Sequence, residues 1–339
     1  MEKRIYSFLC LSVKDKLNLL RLNSLLDRCL KGVFLLQTLN DMISIIICSA
    51  NKAYLEAIKQ DIAKTIGCEH EILAYKNSNG EKGICEIYNQ GVADAKYEIL
   101  CFMHEDIAYK TQDWGQIVLR IFRENPSLGL LGVAGGDYKS LAPSSWFSFA
   151  GSEGFKGKYY INLLQGFKFE NRDTLQEYRN PYNERLSKVA CLDGVWLCST
   201  KEIFSKVQFD DSMLKGFHGY DLDLSMAVNY LGKDVAVTYE ILLHHFSEGK
   251  YDKGWYSDII NLHKKWAFTL PISYAKVSTR EIFTLEKRMF RQFIYECLRN
   301  GYSKNEMLEL ICYSKRSKKM SWKLFLKIAF SIVVYSGKK

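Results

Sequence analysis

Three apolar runs, Met42-Ile-Ser-Ile-Ile-Ile-Cys48, Glu71–Tyr75 and Ile99–Met103, are separated by segments with helical spacing, and this arrangement constrains the fold most. Met42–Cys48 and Ile99–Met103 are continuous rather than alternating, as strands covered on both faces are. Helical patterns lie between the runs, at Tyr54–Ile66 and from about Gly83 to Ala95. Strand, helix, strand, helix, strand with short connections argues for an α/β fold, a mostly parallel sheet flanked by helices. In such a sheet, ligands bind beyond the carboxyl ends of the strands. The third run ends there in His104, Glu105 and Asp106.

Further along, a helix is expected at Trp114–Glu124 and a strand at Leu128–Ala134. Residues 137–190 read as a long, irregular, aromatic-rich excursion that includes Trp146, Phe149 and Tyr159. Strand-like order resumes at Leu192–Cys198, followed by a helix over Tyr220–Leu231 and a strand over Asp234–Tyr239. Beyond Pro271 the pattern predicts helices at 281–299, 304–313 and 321–335. The chain divides into an N-terminal extension, 1–41, an α/β domain, 42–270, and a helical, basic C-terminal region, 271–339.

A hydrophobic content of 47% and a charged content of 25% are ordinary for a soluble globular protein of 339 residues. Ten cysteines without a CxxC pair read as reduced thiols, neither a disulfide framework nor a zinc site. Of the net charge of +9, residues 311–339 carry +8 and residues 1–41 carry +3, which leaves 42–310 at −2. The body is not basic, which argues against nucleic-acid binding. The longest C-terminal apolar run, Leu324–Tyr335, contains Lys327 and falls short of the roughly 20 residues of a membrane span. The amino terminus lacks a signal-peptide pattern, so a cytoplasmic protein is expected. The tail has two readings. Lys315–Lys319 ahead of Trp322–Tyr335 forms either a basic interfacial helix at the inner face of the plasma membrane or a terminal helix packed on the body.

The carboxylates of Glu105 and Asp106 suit Mg²⁺ or Mn²⁺, and the imidazole of His104 favours Mn²⁺; the competing reading is turn and cap chemistry. Asp221 and Asp223 open a helical run, where they serve either as N-terminal caps or, one of them, as a general base towards a hydroxyl. His244 and His245 point to opposite faces of a strand, so at most one faces a given site. The rings of Trp146, Trp196 and Trp255 suit either sugar stacking or the core.

In order, Ser49-Ala50-Asn51, Lys76-Asn77-Ser-Asn-Gly, Tyr88-Asn89-Gln-Gly, His104-Glu105-Asp106, Asp193-Gly194-Val-Trp196, Gly219-Tyr-Asp221-Leu-Asp223 and His245-Phe-Ser-Glu-Gly resemble the family 2 glycosyltransferases. The likeness covers about residues 42–255 and is nearest the bacterial glycosyltransferase-like branch whose metal motif reads His-Glu-Asp. It implies a GT-A fold and a hexosyltransferase-type enzyme. Such an enzyme moves a sugar from a nucleotide-sugar, a UDP-sugar first, to a glycan or lipid-linked acceptor. By this likeness Ser49, Ala50, Asn51, Lys76, Asn77, Asn89 and Glu105 serve the donor. Asp106, His104 and His245 hold Mn²⁺ or Mg²⁺, and Asp193, Gly194 and Trp196 position the sugar or acceptor. Asp221, with Asp223 as second choice, takes the place of the base in an inverting single displacement.

Two departures mark the chain. Lys76 stands where the family ends its second strand in aspartate, and His104 replaces the first aspartate of the metal motif. They leave open a catalytically silent module that binds a nucleotide-sugar or glycan. A nucleotidyltransferase would want a glycine-rich, basic phosphate loop near the first strand, which Ser49-Ala-Asn-Lys-Ala lacks.

Overall fold

The computed structural model describes residues 41–147, 159–168, 170–249 and 252–336. The expected N-terminal extension thus lies, apart from Asp41, outside the described residues. β1 (Met42–Ser49), α1 (Lys52–Thr65), β2 (Glu69–Lys76), α2 (Ile84–Asp94) and β3 (Ile99–Met103) follow in the expected order. β1 lies between β2 and β3 and runs parallel to both. Its side chains alternate across the sheet: Ile43, Ile45 and Ile47 pack with Ile58 and Ile62 of α1, whereas Ile46 packs with Ile87 and Tyr88 of α2.

The chain continues through β4 (Ile107–Tyr109), α3 (Trp114–Glu124), β5 (Leu128–Gly132), β6 (Ala134–Gly136), β7 (Tyr138–Lys139) and β8 (Tyr159–Gln165). Next come β9 (Leu175–Arg179), β10 (Leu186–Lys188), β11 (Cys191–Leu192), β12 (Trp196–Thr200) and the short α4 (Lys201–Phe204). α5 (Tyr220–Tyr230), β13 (Asp234–Thr238), β14 (Leu243–His245), α6 (Lys253–Trp266) and β15 (Ile272–Ser273) precede three helices, α7 (Thr279–Arg299), α8 (Lys304–Ser314) and α9 (Trp322–Val333).

The main sheet has the order β10-β13-β5-β12-β3-β1-β2. β12 is antiparallel to both of its neighbours and β10 to β13; the other pairs are parallel. This is the α/β, mostly parallel architecture expected of a GT-A fold. A second sheet, β11-β6-β8-β14-β4 with β9 alongside β8, draws two of its six strands, β8 and β9, from the segment read as irregular. Its strands are short, and β9 is largely exposed, so no alternation marks them. The apolar run at Leu128–Ala134 is two strands, because the chain breaks at Val133 and crosses from the main sheet to the second. The run at Leu192–Cys198 is likewise broken at 193–195, and the two breaks meet where Asp193 N donates to Ala134 O at 2.9 Å.

The C-terminal helices enclose their own core around Phe290, Ile294, Ile311 and Ile328, with Ser278 and Ser303 capping α7 and α8 through capping boxes. Glu286 of α7, fully buried, ties this core to the sheets. Its carboxylate accepts from Tyr138 Oη (2.5 Å), Ser140 Oγ (2.8 Å) and the backbone N–H groups of Leu141 and Ala142 (both 3.0 Å). The buried ammonium of Lys139 then holds the carbonyls of Ser144 (2.5 Å) and Ser145 (3.1 Å), which fixes one rim of the cleft described next. Among the described residues, no helix is long and apolar enough to cross a membrane.

Candidate active site

β3 and β14 bring distant residues together. After β3 the backbone N–H of His104 bonds the Val195 carbonyl (3.1 Å), and the chain turns into β4. β14 pairs antiparallel with β4, His245 opposite Ile107, and Phe246 N donates to the Asp106 carbonyl at 3.0 Å. His104, Asp106 and His245 thereby offer ligand atoms within 4.8 Å of one another. His104 Nδ1 is 3.9 Å and His245 Nε2 is 3.6 Å from Asp106 Oδ1, while Oδ2 accepts from Ser247 Oγ at 2.5 Å. Burial works to raise the Asp106 carboxyl, but His245, His104 and the Ser247 hydroxyl together hold it well below the usual carboxylate range. Burial and the neighbouring His245 lower His104, which favours the neutral imidazole that metals bind.

The residues fit a divalent ion. His245 Nε2 is buried without a hydrogen-bond partner, at ion-pair distance from Asp106. Leaving such a nitrogen unsatisfied is unfavourable. Two imidazoles and a carboxylate suit Mn²⁺ better than Mg²⁺. His244, on the other face of β14, packs at a tilt of 53° against Phe246 with centroids 4.4 Å apart.

Glu105 turns away from this group towards the β1–α1 loop. It accepts from Ser49 Oγ (2.7 Å), Ala50 N (3.0 Å) and Asn51 N (2.8 Å). Asn51 in turn caps α1, accepting from the N–H groups of Ala53 and Tyr54. Asn77, beyond β2, donates its N–H to Ser49 O (2.6 Å), and its side chain closes a turn onto both backbone groups of Lys82. The loops after β1 and β2 therefore form one unit beside the ligand group, with Lys76 exposed at its edge. Asn89 lies apart from it. Its amide exchanges hydrogen bonds with the Phe209 backbone (2.8 and 3.1 Å), which holds α2 against the loop before α5.

Gly219 enters α5 at φ 78°, a conformation that glycine adopts without strain. The turn directs Tyr220 and Asp221 into a cleft of about 170 Å³ shared with His104, His245, Asp193, Trp146 and Trp255. Burial, then the negative charge of Asp193, pushes the Asp221 carboxyl up to about 7, against the pull of backbone N–H groups and Lys139. Asp193 is itself set by Val195 N, which donates to its Oδ1 at 2.9 Å. Gly194 lends its carbonyl to Tyr220 Oη, and a side chain on Gly194 would collide with that oxygen.

Two expected roles are corrected. Asp223 is 2% exposed, and its carboxylate is clamped by Trp266 Nε1 (2.6 Å) and Lys265 Nζ (2.8 Å) of α6. Residues two apart on a helix do not share a face, so Asp223 is withdrawn from the cleft that Asp221 enters. Trp196 is fully buried, with its indole N–H given to Tyr109 Oη (2.7 Å) and its ring edge-on to Trp114. It offers no face to a sugar, whereas Trp146, Trp255 and Phe217 border the cleft. Tyr220 and Ser247 stand inside motifs named from the sequence but carry no expected role there. Their signals were faint: a tyrosine next to the candidate base, and a hydroxyl two residues beyond a histidine.

Residues 44–264 match the glycosyltransferase-like family. No curated protein matches the chain. Among solved structures, that of GalNAc-T7 with UDP, GalNAc and Mn²⁺ aligns over 75% of this chain at 9% identity, with a TM-score of 0.43. The chain spans 56% of that structure's length. A197 from STIV aligns over 61% of this chain and 86% of its own, at 14% identity and a TM-score of 0.34. Likenesses this remote carry nothing about chemistry. The family match is different in kind, since it runs from β1 to α6 and takes in the whole cleft: the chain belongs to the glycosyltransferase-like family.

Proposed function

We propose that the protein is a metal-assisted glycosyltransferase that moves a sugar from a nucleotide-sugar to a hydroxyl of a glycan or lipid-linked acceptor, with inversion. One observation carries the reading: the two histidines of a His–Asp–His ligand group line the same cleft as a carboxylate raised to about 7. A divalent ion held by His104, Asp106 and His245 would neutralise charge on a departing nucleoside diphosphate.

Asp221 supplies the proton chemistry. As the acceptor oxygen bonds to the anomeric carbon, its proton passes to the Asp221 carboxylate. The bond from that carbon to the diphosphate oxygen breaks, and its electron pair leaves with the diphosphate. Attack from the face opposite the leaving group inverts the centre. A base with a pKa near the working pH contributes roughly 10²–10⁴-fold.

The cleft, at about 170 Å³, is smaller than the roughly 300–1,000 Å³ of sites that enclose a whole ligand. It accommodates the transferred sugar and the reacting hydroxyl, with Trp146 and Trp255 as apolar faces. The nucleotide would lie outside it, along Ser49–Asn51 and Asn77, and a UDP-sugar is the first donor to test. Calorimetric titration with UDP, GDP and CDP, each with and without Mn²⁺, is the test. Metal-dependent binding of one nucleotide, lost in Asp106→Ala, supports the reading. Failure of all three to bind in the presence of Mn²⁺ overturns it.

A further inference from the structure

We propose that α9 is a docking surface for an anionic lipid bilayer, independently of the reaction assigned to the cleft. The helix is apolar on two sides. Leu324, Ile328 and Ile332 are buried in the core shared with α7 and α8. Trp322, Leu326, Phe330 and Val333 face outwards and are 67%, 61%, 68% and 61% exposed. At 100° per residue these four share an arc of about 80°. A helix packed on a body through one face ordinarily carries polar residues on the other. Large apolar side chains grouped on a surface mark an interaction site instead.

Charge selects the partner. The charged residues of α9 are both bases, Lys323 and Lys327, and both are exposed. The turn before it adds exposed Arg316, Lys318 and Lys319, and the Lys315 ammonium lies 3.9 Å from the Trp322 ring centroid. No acid occurs between 311 and 339. An apolar stripe whose own segment carries cations and no acid is complementary to a bilayer with anionic headgroups, the apolar side chains entering the acyl boundary and the ammonium groups meeting phosphates. A second copy of the chain fits less well, because it would present the same positive border. As α9 is too short to cross a bilayer, it lies in the plane of the interface.

The test is sedimentation of the full-length protein with vesicles of phosphatidylcholine, alone or mixed with phosphatidylglycerol, at low and high salt. Two variants accompany it, Trp322→Ser/Leu326→Ser/Phe330→Ser and Lys323→Gln/Lys327→Gln. All five side chains are exposed, so folding is expected to survive, and circular dichroism together with nucleotide titration checks that it does. Binding to the anionic vesicles alone is expected, abolished in the triple variant and weakened by salt. Each lysine removed should weaken it about fivefold. Equal binding to neutral vesicles overturns the proposal, as does undiminished binding by the triple variant. So does failure of the wild type to bind, including the case in which gel filtration shows the stripe joining two copies.

Discussion

The phenol oxygen of Tyr220 lies 2.9 Å from Nε2 of His104 and 3.0 Å from the carbonyl oxygen of Gly194. Burial keeps the phenol protonated, and its one proton goes to the carbonyl, which can only accept. The phenol oxygen then accepts from the Nε2–H of His104. That assignment leaves Nδ1 with its lone pair, 3.9 Å from Asp106 Oδ1. Tyr220 thus sets the tautomer in which His104 can serve as a ligand, a role typical of groups just behind a metal site.

Tyr220→Phe removes the acceptor and frees that tautomer. Affinity for Mn²⁺ alone should fall about 10–100-fold, while stability drops by only on the order of 1 kcal/mol. Gly194→Ala should show a similar deficit, since its Cβ would collide with the same oxygen. Calorimetry with Mn²⁺ alone reads both variants, and wild-type affinity in Tyr220→Phe would discard the tautomer argument.

Asp221→Asn should lower kcat by about 10²–10⁴-fold with nucleotide affinity retained. It should also stabilise the protein. The folded pKa of about 7 lies above the ordinary carboxylate value of about 4, so stability conferred by the protonated group is lost as pH rises through about 4 to 7. The uncharged amide escapes that loss, a gain on the order of 4 kcal/mol at neutral pH. Urea denaturation of both proteins at pH 5 and at pH 8 would expose a wrong sign.

The pH–rate profile follows from the same carboxyl. Because the base acts ionised, kcat should climb about tenfold per pH unit on the acid side and level off above about 7. Asp193→Asn removes the neighbouring negative charge, so its inflection should move to lower pH. An unmoved inflection would mean that another group limits the acid limb.

Glu105 and Asp106 are adjacent but should fail differently. Glu105→Ala removes the acceptor for three donors of the 49–51 loop, which should speed amide exchange at Ala50 and Asn51 and weaken nucleotide binding. Its affinity for Mn²⁺ alone should persist. Asp106→Asn should lose Mn²⁺ instead and leave the loop protected. Hydrogen exchange paired with metal titration separates the two, and identical phenotypes would refute the division.

Asp223→Ala strands Trp266 Nε1 and weakens the hold on Lys265. Lys265 is partly exposed and stays paired with Asp210, so the main cost is the unsatisfied buried indole N–H, about 1–3 kcal/mol, which denaturation should reveal. The folded fraction should keep its kcat. A collapse of kcat at full stability would instead return Asp223 to the list of candidate bases.

The first three strands and the C-terminal helices were legible because burial imprints itself locally. A strand covered on both faces must be apolar throughout, and a packed helix must repeat its apolar positions every turn. The second sheet escaped notice because its strands are two to seven residues long and one is largely exposed, so the patterns that signal a strand never accumulate. Trp196 and Trp255 look alike as letters, yet one is fully enclosed in the core and the other borders the cleft.

Residue type and local spacing alone identified an α/β chain with acidic and imidazole groups at the ends of strands and at the start of a helix. Which of those groups meet depended on contacts between distant segments. Register pairs His245 with Ile107 across the β14–β4 ladder, and a one-residue slip would have presented His244 instead. The docking of α6 claims Asp223 through Trp266 and Lys265 and leaves Asp221 to the cleft. Two aspartates in the first turn of one helix have the same local chemistry. Burial raises both carboxyls, but Lys265 and Trp266 hold Asp223 in an ion pair, while the charge of Asp193 helps push Asp221 to about 7.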